Sequence, residues 1–452
     1  MTRFSGVIEG FYGRPYRFAE RHSLIALMGD LGLNTYLYGP KNDTQHRNRW
    51  REPYTPEEMA LFARLTEHAR SCGVDFMVGL SPLEFHYSDP QDLSLLLDKQ
   101  QQFLDIGVQS FSLFLDDMPD RFRYEDDAEA FGTLANAQSQ LCHTLQKHTP
   151  GVFSFVPTEY YGSGDSAYLR ELGEKLPPET EVFWTGSDVC SPSITREETL
   201  RVSAILKRKV VYWDNYPVND LDMRFDPHLL PYRNREAGVW QESSGILLNL
   251  ALQPEASKIP LITFSEYLQL GEQYQPFQAW ERALLRCTGN PQDARAVQWL
   301  AELARRDPLG PHEALDNLLY PLMDHFWQER GGAPEQAGPE LQGRPPIQLS
   351  EAPSMHLRDV ALQLEHAVFR LEHLQNRDLL TDLLPWTRKL KGCVRILKLS
   401  LAVIDHPQDT RLREVLFEDL PEVRADFHWV AGDLIDQFAR RCVWHAHQQG
   451  GQ

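Results

Sequence analysis

The feature that most constrains this chain is an alternation that runs through its N-terminal part. Short apolar runs at 4–8, 34–38, 75–80, 110–115, 152–156, 181–184, 209–213 and 245–249 are separated by amphipathic stretches, among them 56–71, 92–106, 127–148 and 196–207. The runs are rich in β-branched and aromatic residues and are bounded by Gly, Pro or Asp. Continuous apolar character of this length is how strands buried on both faces read. Eight strand–helix alternations predict an α/β fold, a (β/α)8 TIM barrel, for which roughly 250 residues suffice. A doubly wound open sheet is the alternative, and the lack of a G-x-G-x-x-G after any early strand weakens it.

The character of the sequence changes after Gln278. ARAVQWLAELARR (294–306) and HEALDNLLYPLMDHFWQER (312–330) have helical spacing, a Gly/Pro-rich stretch fills 331–346, and helical periodicity resumes over 356–447. The heptads are imperfect, so an all-α bundle is expected rather than a long coiled coil. Two domains follow: a catalytic barrel over 1–280 and a helical domain over 281–452 with an exposed loop at 331–346. Trp327, Trp386, Trp429 and Trp444 belong to that second domain as core or interface residues, core being the commoner fate.

Charge narrows the partners. With 45 Lys and Arg against 64 Asp and Glu, the formal charge is −19 over 452 residues, and no dense basic footprint for nucleic acid or polybasic membrane patch is present. No run reaches the roughly 18 apolar residues of a membrane span. The N-terminus has no charged-then-apolar secretory pattern. The six cysteines are widely spaced with no C-x-x-C, which fits reduced thiols in a cytoplasmic protein better than a disulfide framework or zinc ribbon.

Chemistry in a barrel gathers at the C-terminal ends of strands. Here those ends read EGFYGR (9–14), GPKND (39–43), SPLE (81–84), DD (116–117), TEY (158–160), TGSD (185–188), DN (214–215) and Asn249. Their convergence suits a polyhydroxylated ligand. Asp116 and Asp117 follow an apolar strand directly. A bend there would let both face one ligand, and repulsion between close carboxylates raises one pKa, as a general acid requires. Capping the next helix, or binding a cation, are the other uses of such a pair. No third metal ligand is evident, and His46, His86, His143 and His148 lack H-E-x-x-H or H-x-H spacing. Lys41 can donate to hydroxyl or carbonyl oxygens, while Tyr12, Tyr160 and Trp213 can wall an N-acetyl pocket or serve barrel packing. Nucleophile-elbow and phosphate-loop motifs do not occur.

Several segments together resemble glycoside hydrolase family 84: GVIEGFYGRPY (6–16), LNTYLYGPKND (33–43), HRNRWREPY (46–54), FSLFLDDM (111–118), PTEYYG (157–162), FWTGSDVCS (183–191), YWDNYPVNDLD (212–222) and GILLN (245–249). The family contains O-GlcNAcases and bacterial β-N-acetylglucosaminidases, some labelled hyaluronidases. The resemblance implies a retaining, substrate-assisted hydrolase of terminal β-linked GlcNAc, in which the acetamido oxygen attacks C1 to give an oxazoline. Asp116 would orient the acetamide, and Asp117 would be general acid, then base. Gly10 would offer its carbonyl to the sugar, Lys41 would bind a ring hydroxyl, and Tyr160 would donate to the acetamido oxygen. Val189 and Trp213 would wall the pocket, Asn215 would steady the catalytic carboxylate or a hydroxyl, and Asp220 and Asn249 would hold the far hydroxyls. No metal or cofactor is implied. Asn42 stands where the family often has Asp, and Val156 where some animal relatives have Cys.

An exo-acting enzyme on GlcNAc-modified proteins is the expectation. An endo-acting hyaluronidase-type hydrolase and a non-catalytic GlcNAc-binding module are the alternatives. A net negative chain would repel a polyanionic polysaccharide at long range, which favours protein-linked or small glycans. The helical domain would serve a homodimer or frame the leaving-group side of the cleft.

Overall fold

In the computed structural model, which describes residues 3–306, 308–309, 319–330 and 356–450, the apolar runs fold as β1 (Phe4–Glu9), β2 (Thr35–Tyr38), β3 (Asp75–Leu80), β4 (Phe111–Phe114), β5 (Phe153–Val156), β6 (Glu181–Trp184), β7 (Val210–Asp214) and β8 (Gly245–Asn249). Each strand pairs in parallel with the next, and β8 returns to β1 with Phe4 opposite Gly245 and Ile8 opposite Asn249. The sheet is therefore a closed barrel in sequence order, and the open doubly wound sheet is excluded. Inward side chains Ile8, Leu37, Met77, Phe114, Val156, Phe183, Val211, Trp213 and Leu247 fill it. The position that departs from animal relatives, Val156, belongs to this packed interior.

The helices between strands begin where local chemistry satisfies their first amides. Thr55 caps helix Pro56–Ser71 by accepting from the Glu58 amide, and Glu58 reaches back to Thr55, a reciprocal arrangement that serves two otherwise unpaired donors. The stretch expected as one helix over 127–148 is two, Glu125–Phe131 and Leu134–Lys147. Gly132 ends the first with φ 72°, a conformation that glycine adopts without steric penalty, and the Thr133 hydroxyl starts the second by accepting from Asn136.

The chain forms two compact units. One comprises 1–221 and 231–279, the other 222–230 and 280–452. The second unit is all-helical in its larger part, with helices Pro291–Leu303, Leu319–Gln328, Leu357–Glu372, Arg377–Asp405, Thr410–Ala425 and Leu434–Gly450. Arg377–Asp405, capped by Asn376, buries Leu379, Leu383, Trp386, Leu390, Val394, Leu397 and Leu401 along one stripe. The segment 222–230 is tied into this unit through its carbonyls. Trp386 Nε1 donates to Phe225 O at 2.7 Å, and Trp280 Nε1 to Leu229 O at 2.7 Å. Trp327 and Trp386 are core residues, whereas Trp444 is 61% exposed. The loop expected at 331–346 lies outside the described residues.

Candidate active site

The C-terminal ends of the strands bring most of the expected residues together. β4 stops at Phe114. Leu115 extends the ladder through its amide to Val156 O at 2.9 Å, and Asp117 turns the chain with φ 53°. The bend that a carboxylate pair on one strand needs is thus made by Asp117 itself. Positive φ is uncommon outside glycine, and Asp tolerates it better than most residues.

Lys41, from the β2 end, is buried and hydrogen-bonds Asp116 Oδ2. Its Nζ also lies 3.7 Å from Asp117 Oδ2. Asp116 is buried, and its Oδ1 has no hydrogen-bond partner. Asp117 is more open, its side chain 33% exposed, and is held by two phenols: Tyr12 donates to Oδ2 at 2.8 Å and Tyr160 to Oδ1 at 2.9 Å. Burial alone would push the Asp117 carboxyl up. The Lys41 charge, the Tyr12 and Tyr160 hydrogen bonds and the Arg47 charge outweigh it and hold Asp117 below its usual value. Repulsion from Asp116 does not dominate because Lys41 stands between the two carboxylates. In this free state Asp117 is a stabilised carboxylate, not the raised acid that repulsion alone would predict. Burial, reinforced by Asp117, raises both Tyr12 and Tyr160, so each phenol keeps its proton.

A second network runs from β1 through β8 to β7. The Gly10 amide donates to Asn249 Oδ1 at 3.2 Å, and Asn249 Nδ2 to Asn215 Oδ1 at 2.9 Å. Asn215 Oδ1 also accepts from Trp213 Nε1 at 2.9 Å, and Asn215 Nδ2 donates to the Val189 carbonyl at 2.7 Å. Asn215 therefore braces Trp213 and the loop carrying Val189, and its side-chain bonds go to neither Asp116 nor Asp117. A Cβ on Gly10 would come within 2.2 Å of the Trp213 ring, so glycine is required where β1 meets the indole. Asp220 Oδ2 accepts the Tyr12 amide at 2.7 Å, and burial raises its pKa. Val189 is 40% exposed and forms rim rather than core. The departure Asn42 accepts the Gly13 amide at 2.9 Å and so fixes the turn after β1.

Other residues at strand ends have structural uses. Glu9 is buried and bonds Arg21 Nε at 2.8 Å, Tyr36 OH at 2.6 Å and the Tyr16 amide at 2.9 Å. Asp214 is fully buried against Arg235, with bonds of 2.8 and 2.7 Å, and accepts Tyr232 OH at 2.8 Å. Arg235 also donates to the carbonyls of Ser191 at 2.9 Å and Pro192 at 3.2 Å, tying the β6 loop that carries Val189 to β7. Sequence reasoning missed Arg235 and Arg47. Arg47 lies inside HRNRW, a motif whose density of cations beside aromatics was the only available signal.

Among the described residues, a His/carboxylate group with metal-ligand spacing is His86, Asp126 and Asp127, which motif spacing alone did not reveal. It excludes Asp116 and Asp117. Asp127 accepts the Tyr87 and Ser88 amides at 3.2 and 2.6 Å.

Comparison with known proteins gives the family. The sequence model of the β-N-acetylglucosaminidase family matches residues 5–302. The protein O-GlcNAcases of Rattus norvegicus and Mus musculus are each 38% identical over 271 residues, which is 58% of this chain and 29% of theirs. The chain thus spans less than a third of the length of those curated relatives. The structure of an O-GlcNAc hydrolase from Thermobaculum terrenum, determined as a point mutant, superposes with a TM-score of 0.86 at 30% identity, covering 99% of this chain and 96% of that one. The chain belongs to glycoside hydrolase family 84, the β-N-acetylglucosaminidases.

Proposed function

We propose that the protein is a retaining β-N-acetylglucosaminidase that removes terminal β-linked GlcNAc, including GlcNAc on Ser or Thr of proteins, through an oxazoline intermediate. The observation that carries this reading is the state of Asp116. One oxygen is engaged by Lys41, and the other is buried without a donor. A buried acceptor of that kind is costly unless a ligand satisfies it, and the N–H of an acetamido group is the donor that an N-acetyl sugar supplies. With that N–H on Asp116, the amide oxygen attacks C1. Tyr160 leaves Asp117 and donates to the acetamido oxygen. Asp117, which takes up a proton from solvent as the sugar binds, gives it to the departing glycosidic oxygen; the C1–O bond breaks, and the N–H stays on nitrogen beside Asp116, so the intermediate is an oxazolinium ion. A water then attacks C1 while Asp117 takes its proton, and the bond from C1 to the acetamido oxygen breaks, which restores the acetamide and retains the anomeric configuration.

The family resemblance would put Asp220 and Asn249 on the far hydroxyls of the sugar, and this supports exo action on a terminal residue. Cys142 and Cys393 are buried thiols, and this supports a reducing compartment, the cytoplasm. Among the described residues no helix is long and apolar enough to cross a membrane. Exposed Leu362, Phe369 and Trp444 on the helical unit support a homodimer through it.

The test compares an aryl N-acetyl-β-glucosaminide with a good leaving group against a GlcNAc-Ser peptide. Both should be hydrolysed with retention. Asp116→Asn should slow both alike. Asp117→Asn should lose roughly 10²–10⁴-fold on the peptide and far less on the aryl glycoside. Inversion, internal cleavage of long chains before free GlcNAc appears, or binding of the sugar without turnover would each overturn the reading.

A further inference from the structure

The turn that aims Asp117 is held from behind. Arg47 Nη2 donates to the main-chain carbonyl of Asp117 at 3.2 Å. The Arg47 side chain is buried, its Nη1 has no hydrogen-bond partner, and it forms no ion pair within 4 Å among the described residues. A buried guanidinium whose one side-chain hydrogen bond is to a backbone oxygen is an expensive way to stabilise a fold. Lys41 and Arg47 leave the same β2 end, one gripping the side chain of Asp116 and the other the backbone of Asp117, whose φ is positive.

We propose that Arg47 is a positioning residue for general acid catalysis: its guanidinium holds the Asp117 carbonyl so that the left-handed turn after β4 presents the Asp117 carboxyl to the leaving oxygen. This inference rests on the glycosidase reading above. The other groups facing Asp117 are Lys41, Tyr12 and Tyr160, with Asp116 and Asp220 also within electrostatic reach. Lys41, Tyr12 and Tyr160 contact its side chain, whereas Arg47 reaches the carboxylate only through its charge and makes its hydrogen bond to the backbone. Loss of the Arg47 bond lets the carboxyl swing from its line to the glycosidic oxygen. Attack by the acetamido oxygen, which depends on Asp116, does not need that line.

The experiment is a leaving-group comparison on the full chain. Arg47→Met should lower kcat on a GlcNAc-Ser peptide about 10–100-fold, the usual cost of a small misplacement, and lower kcat on a 2,4-dinitrophenyl glycoside several-fold less. In an Asp117→Asn background the same change should add no further loss on the peptide, because the group it positions is already gone. Arg47→Lys should recover part of the peptide activity. Equal losses on the two substrates, or a full additional loss in the Asp117→Asn background, overturn the inference. If Arg47→Met does not fold, Arg47→Lys carries the same comparison, a biased loss supporting the inference and an equal loss overturning it. A wild-type chain that hydrolyses neither substrate overturns the glycosidase reading and this inference together.

Discussion

At the scale of single residues, the free site holds Asp117 in the wrong protonation state for the general acid proposed above. Two phenols and two cations stabilise its carboxylate, so the proposed mechanism requires a proton to be loaded as the sugar arrives. In that mechanism, transfer of Tyr160 from Asp117 to the acetamido oxygen removes one donor from the charged form. Losing a donor to a carboxylate destabilises the charge and raises the pKa. The sign for activity follows. The free enzyme, read by kcat/KM, should lose its acid at lower pH than the complex, read by kcat. As pH rises, kcat/KM should therefore begin to fall before kcat does. Tyr12→Phe should move the kcat/KM limb to higher pH. Coincident limbs in the wild type would show that Tyr160 stays on Asp117. The sequence showed the two aspartates and the repulsion between them. It did not show Lys41 wedged between them, because that contact joins residues 75 positions apart.

At the scale of elements, strands were the most legible feature. Every expected run appears, with ends displaced by at most one residue, because buried parallel strands are marked by unbroken apolar character and sharp punctuation. The 127–148 stretch failed because a single Gly inside a helical pattern is tolerated as often as it terminates, and only its φ decides. The elements that hold the β6 loop were not legible at all. Nothing in RNRE (233–236) distinguishes a buried Arg from a solvated one. Asp214 and Arg235 are each 1% exposed at the side chain, and removing one partner of such a pair leaves an uncompensated charge. Arg235→Met should therefore lower the free energy of unfolding by about 3–5 kcal/mol, measured by denaturant titration. Asp214→Asn on that background should recover part of the loss. KM should rise with Arg235→Met, since the carbonyls of Ser191 and Pro192 lose their anchor and Val189 stands on that loop.

At the scale of the whole molecule, the barrel and the helical part were separable in the sequence, but the segment 222–230 was not assigned to the helical part. Its grouping depends on which indoles receive its carbonyls, a long-range fact without local signature. One consequence concerns covalent connection. The chain passes between the two units at 221/222, 230/231 and 279/280, three times rather than once. A single break after Glu272, in the exposed turn before helix Pro276–Thr288, leaves 222–230 on the N-terminal fragment, while its indole partners Trp280 and Trp386 lie on the C-terminal one. A protease site engineered there should yield fragments that co-elute in native size exclusion and part only in denaturant. Separation under native conditions would show that 222–230 is a passenger. A nicked chain of this design would then be a split protein that reassembles without added interaction tags, its two pieces joined by nine residues that one carries and the other packs around.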